Sequence, residues 1–172
     1  MATAEELRSE FTNFMDKEGI AYQVVNREDN IIRLAFSGRS FKTGGGANTE
    51  IFVDFDEDGD TADSVHLIAR KFAKCKLEDY PQVLVKINDY NKHYRWCKFW
   101  LMKEDDCGYL VADFDAHLVP GASALECVKL SFTMSTIVED VIIDLGDLVE
   151  PDGGKEHLRA MLEMLQQMLE EE

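Results

Sequence analysis

Residues 97–114, CKFWLMKEDDCGYLVADF, alternate in a way that leaves little choice of fold. With Glu104 to Cys107 as a turn, Lys103 falls opposite Gly108, Trp100 opposite Val111, Phe99 opposite Ala112 and Lys98 opposite Asp113. Side chains of a hairpin alternate between two faces, so this register sorts them. One face carries Cys97, Phe99, Leu101, Leu110, Ala112 and Phe114; it is apolar throughout and needs cover in water. The other carries Lys98, Trp100, Met102, Tyr109, Val111 and Asp113, with Lys98 and Asp113 placed as a cross-strand ion pair. An isolated two-stranded ribbon is marginal, so further strands and at least one helix must join it.

The rest of the chain supplies them. Thr3-Ala4-Glu5-Glu6 has the form of a capping box, and Leu7, Phe11, Phe14 and Met15 follow at helical spacing until Gly19. Residues 22–26 and 31–37 read as strand, turn, strand, with Ile32, Leu34 and Phe36 on one face. Residues 50–55 and 64–72 read as two more strands, the latter with Val65, Leu67 and Ala69 facing one way and His66, Ile68, Arg70 and Phe72 the other. A helix follows from about residue 80, with Pro81 in its first turn beside an Asp79 cap. It carries a stripe of Tyr80, Leu84, Ile87, Asn91 and Tyr94 and runs without a linker into the hairpin. Beyond Pro120-Gly121, Ser123 to Glu126 form a second capping box. A long helix follows on Cys127, Ser131, Met134, Val138, Val141, Leu145 and Leu148. Pro151-Asp152-Gly153-Gly154 interrupts it. Leu158, Met161, Leu162, Leu165, Met168 and Leu169 then mark a last amphipathic helix.

The fold expected is α+β in two layers: an antiparallel sheet of about five to six strands with helices on one face. The element order is α-β-β-β-β-α-β-β-α-α. Residues 1–149 would form the domain and 150–172 an appended amphipathic helix.

A net charge of −16, from 34 acidic and 18 basic residues, repels nucleic acid and anionic membrane alike. Neither is expected as a partner. With no secretory leader pattern and no apolar run of bilayer length, a soluble cytoplasmic location is expected. Cys75, Cys97, Cys107 and Cys127 lack C-x-x-C spacing and read as reduced thiols. His66, His93, His117 and His157 lack metal-ligand spacing, and no Ser, Cys or His set of nucleophile and base converges. No catalytic residue, cofactor or resident metal is expected.

Two stretches hint at ligands. Asp54, Asp56, Asp58 and Gly59 imitate the start of a calcium loop, but Val65 stands where its closing Glu belongs. They are weak metal candidates in what otherwise reads as an acidic turn. Gly44, Gly45 and Gly46 beside Lys42 and Thr43 fit neither phosphate-loop spacing and read as a connection. A small-ligand or divalent-cation sensor built on either stretch is the alternative function.

Ile87-Asn88-Asp89-Tyr90-Asn91 ahead of Lys98-Phe99-Trp100-Leu101 and Gly108-Tyr109-Leu110-Val111, in this element order, resembles the bacterial YbjN-like domains over residues 3–148. That family is described as a sensory transduction regulator and is similar in fold to type III secretion chaperones. The resemblance implies an often dimeric domain that engages other proteins and has no established enzymatic site. The triglycine loop and the segment after Pro151 depart from its pattern. The function expected is therefore non-enzymatic protein binding, chaperone-like or as a regulatory adaptor, in a homodimer. Trp100, Met102, Tyr109, Val111, Ile68 and Phe72 form the expected binding face, by apolar burial or strand addition at a sheet edge. The final helix folding back over that face is the competing use of the same residues.

Overall fold

A computed structural model of the chain describes residues 3–26, 31–37, 48–55, 64–118 and 123–152. The elements are α1 (Ala4–Glu18), β1 (Gln23–Asn26), β2 (Ile31–Ser37), β3 (Asn48–Asp54), β4 (Ser64–Lys76), α2 (Tyr80–His93), β5 (Lys98–Lys103), β6 (Cys107–His117) and α3 (Ser123–Leu145). A 3₁₀ turn (Gly146–Leu148) and a two-residue strand, β7 (Glu150–Pro151), close the described chain. The sheet is antiparallel and ordered β1-β2-β3-β4-β6-β5, with β7 paired to β4 beyond the end of β3. Among the described residues it has seven strands, and a strand follows α3 where only a helix was expected. The triglycine loop, most of the acidic turn, the side chain of Ser123 and the expected final helix lie outside the described residues.

Local chemistry explains the element boundaries. Thr3 and Glu6 form the reciprocal capping box, at 3.2 and 2.8 Å, and Gly19 at φ +67° ends α1 in the left-handed conformation that glycine adopts without cost. Pro81 sits in the first turn of α2, where its missing N–H is no loss, whereas Asp79 makes no side-chain cap bond. Most of both long stripes is buried: Leu7, Phe11 and Met15 of α1, and Cys127, Ser131, Met134, Val138, Val141 and Leu145 of α3, with Phe14 half-buried and Leu148 half-buried in the 3₁₀ turn beyond α3. In α2 the buried positions are Val83 and Ile87, while Leu84 faces out. The helices close over Ile32, Leu34, Ile51, Val53, Leu67 and Leu110 to form one core.

The hairpin register is the expected one, from Lys98 opposite Asp113 to Lys103 opposite Gly108. Its ionic pairing is not. Lys98 Nζ turns to donate to the carbonyls of Asn91 and Tyr94, both at 3.1 Å, where the C-terminus of α2 leaves acceptors unmet. Asp113 lies instead 3.6 Å from His66.

β4 departs most from simple alternation. Ala69 faces Ala112 and Ala73 faces Leu110, so four residues along β4 span two along β6. Lys71 takes φ +45° within this bulge, a conformation costly for any residue with a Cβ. The extra residues turn Phe72 inward: it is 2% exposed and meets Phe99 edge to face at 6.3 Å. Phe72, expected on the outer face beside Ile68, is a core residue.

Gly108 marks a close approach. A Cβ there would lie 2.7 Å from the Tyr80 ring and 3.0 Å from Cys75 Sγ. Gly108→Ala is therefore expected to destabilise the protein by about 1–3 kcal/mol through overpacking. A urea midpoint that falls with an unchanged slope would report it.

Candidate functional site

The β5 edge bears on partner binding. Asn91, on the last turn of α2, accepts from the Phe99 N–H and donates to the Phe99 carbonyl, each at 2.8 Å. It does with one amide what a neighbouring strand would do. Tyr80, at the other end of α2, donates its hydroxyl to the Leu101 carbonyl at 3.1 Å. These bonds occupy the outward groups of Phe99 and the outward carbonyl of Leu101, which strand addition at this edge would need. A strand added there would have to displace them.

The same clamp fixes the α2–β5 turn, and with it Trp96. This indole is 74% exposed and forms one wall of an apolar groove of about 610 Å³. Phe114 and Ala116 of β6 and the buried Cys97 lie on the sheet side. Leu130, Met134 and Ile137 of α3, spaced by about one helical turn, form the opposite wall. Asp115, His117, Glu126 and Lys129 supply its charged and titratable groups. Burial pushes the Cys97 thiol up to about 12, and Cys127 up to about 12 likewise. Burial thus disfavours the thiolate form of both.

The sheet face away from the helices holds five of the six residues expected to bind. Trp100 and Met102 are 40% and 37% exposed, Ile68 and Tyr109 are half-buried, and Val111 is only 5% exposed. Arg70 stands over the Phe52 ring at 4.8 Å and Lys71 over the Tyr109 ring at 4.6 Å. Lys71 also reaches Glu104 at 2.7 Å. Tyr109 is pushed up to about 12, by its hydrogen bond with Cys107 first and burial second. Of the six expected residues, Ile68, Trp100, Met102, Tyr109 and Val111 share this face, and Phe72 leaves it for the core.

Among the described residues no three His, Cys, Asp or Glu side chains are grouped to hold a metal. Asp54 ends β3 half-buried, opposite Ile31 and His66, and Asp56 and Asp58 lie outside the described residues. Among the described residues no helix is long and apolar enough to cross a membrane.

α2 and α3 are joined through Asp144, which accepts from the Tyr90 hydroxyl and, at 3.4 Å, from Lys86 Nζ. The Tyr90 bond, then Lys86, hold this carboxyl below the usual carboxylate range. A depressed folded-state pKa gives stability that is present above the unfolded pKa and lost as pH falls through the folded one. Thermal melts from about pH 6 to about pH 3 should show Tyr90→Phe less stable at the upper end, with the gap to the parent protein closing in acid.

These layers define a two-layer α+β domain with an open antiparallel sheet and all its described helices on one face. The chain belongs to the YbjN family: the family model, described as "Putative bacterial sensory transduction regulator", matches residues 8–141. That description is of a regulator and names no catalytic activity. The crystal structure of YbjN from E. coli, described as "a putative transcription regulator", is similar in fold at 12% identity and a TM-score of 0.59. The match covers 84% of this chain and 96% of that one. No curated protein matches the sequence.

Proposed function

We propose that this domain is a non-enzymatic regulatory module that binds a basic amphipathic segment of a partner protein in the groove beside Trp96. The observation that carries the reading is a tryptophan 74% exposed at the wall of a mostly apolar groove of about 610 Å³. Exposed aromatics beside apolar concavities are where interfaces concentrate their binding energy. The volume accommodates a few large side chains, as a helix presents them at positions i, i+3 and i+7. The net charge of −16 favours a basic segment over an acidic one, and at the groove itself Asp115 and Glu126 stand against Lys129 and His117. Strand addition, the other expected mode, is unsupported at β5.

Trp96 is one of two tryptophans, so Trp100→Phe leaves it as the only indole. A synthetic Leu/Lys amphipathic helical peptide titrated into that variant should shift Trp96 emission to the blue, and its Leu/Glu counterpart should not. Leu130→Asp is expected to weaken the peptide at least about tenfold. Equal response to both peptides, or to the peptide with and without Leu130→Asp, would refute the groove. A small apolar ligand is the second reading, since about 610 Å³ is also of small-ligand size. Displacement of a bound naphthalene dye by medium-chain fatty acids, with no response to the Leu/Lys peptide, would favour it.

A further inference from the structure

We infer that the Trp100 face is the docking site of the chain's own C-terminal segment, residues 153–172. The site itself lies wholly on described strands. Phe52, Ile68, Trp100, Met102 and Tyr109 form an apolar surface across β3, β4, β6 and β5, opposite the face that α1, α2 and α3 already fill. A half-exposed surface of this composition calls for an occupant.

The chain's path supplies one. β7 pairs Pro151 with Ala73 and Glu150 with Lys74, and the Asp152 N–H donates to the Phe72 carbonyl at 3.0 Å. The C-terminal segment therefore starts beside β4, three strand positions from Met102, or about 14 Å across the sheet. Residues 158–169, as the amphipathic helix their spacing predicts, would run for about 18 Å, enough to cross β4, β6 and β5. Leu158, Met161, Leu162, Leu165, Met168 and Leu169 would meet the sheet, with Glu156, Glu163 and Glu170 turned to its margin. Arg70, Lys71 and Lys74 stand along β4, with Lys71 at 2.7 Å from Glu104 and Lys74 at 3.7 Å from Glu150. A short tether holds a segment at millimolar order of effective concentration, which favours a chain's own tail over that of a second copy.

In Trp96→Phe the only tryptophan is Trp100. Its acrylamide quenching should rise about threefold when Leu162→Asp and Leu165→Asp are added, as the indole is uncovered. With p-benzoylphenylalanine replacing Leu165 in a mixture of ¹⁴N and ¹⁵N protein, illumination should join the segment to peptides of β4, β5 or β6 within single-isotope chains. Unchanged quenching would overturn the proposal. So would cross-links to α3, or mixed-isotope products, which would assign the face to a second copy. The groove beside Trp96 is not involved, so its own test can fail or succeed separately.

Discussion

Phe72→Ala is expected to cost about 3–5 kcal/mol, the range for truncating a fully buried aromatic, and so to lower the melting temperature of a domain this size by roughly 10 °C. The cavity would open under Phe99, whose ring Phe72 meets edge to face, and beside the β7 contact at the Phe72 carbonyl. Ile68→Ala, four residues earlier on the same strand but half-buried on the opposite face, should cost about 1 kcal/mol. The contrast is the test. Uninterrupted alternation through residues 68–72 would put both side chains on one face and make the two costs alike. The bulge at Lys71 makes them differ severalfold, and urea midpoints of the two variants would decide it.

Asn91→Leu is expected to have two consequences that can be read separately. Losing both 2.8 Å bonds to Phe99 leaves a backbone donor and an acceptor unmet at a half-covered edge, at a cost of about 1–3 kcal/mol. It also restores to β5 the open edge on which other strands can grow. Concentration-dependent association in sedimentation experiments should therefore accompany the fall in stability. Asn88→Leu, one turn earlier on the exposed side of α2, should change stability by no more than about 0.5 kcal/mol and leave the protein's association state unchanged. An Asn91 variant as stable and as dispersed as the parent would show that the edge is guarded by something else.

The hairpin was legible because its alternation admits one register, and α1 and α3 because their apolar residues recur at a helical period over several turns. Residues 64–76 were not, since the pattern of His66, Ile68, Arg70 and Phe72 continues smoothly through the bulge. Nothing in side-chain polarity signals that Lys71 adopts a positive φ. The Lys98–Asp113 pairing failed for a related reason: the two positions do face each other, but bare carbonyls at the end of α2 compete for the ammonium, and a helix end's unmet acceptors do not appear in a strand pattern. Asn91 was readable as part of the α2 stripe and of the family's pattern, though not as the residue that would bind both polar groups of a strand residue. Trp96 belongs to neither the α2 stripe nor the β5 alternation, so periodicity passes over it. A large aromatic stranded between two patterned segments is the signal that could have drawn attention to it.

The pairing of β7 has a consequence for how the chain's end communicates with its body. Glu150 and Pro151 pair with the same β4 residues, Lys74 and Ala73, that face Tyr109 and Leu110 of β6 on the other side. Whatever pulls on, cleaves or captures the C-terminus therefore tugs at an interior strand, next to Phe72 and the bulge, with no peripheral strand to absorb the load. In this architecture residues 150–152 are an anchor point, tying the chain that follows α3 to β4.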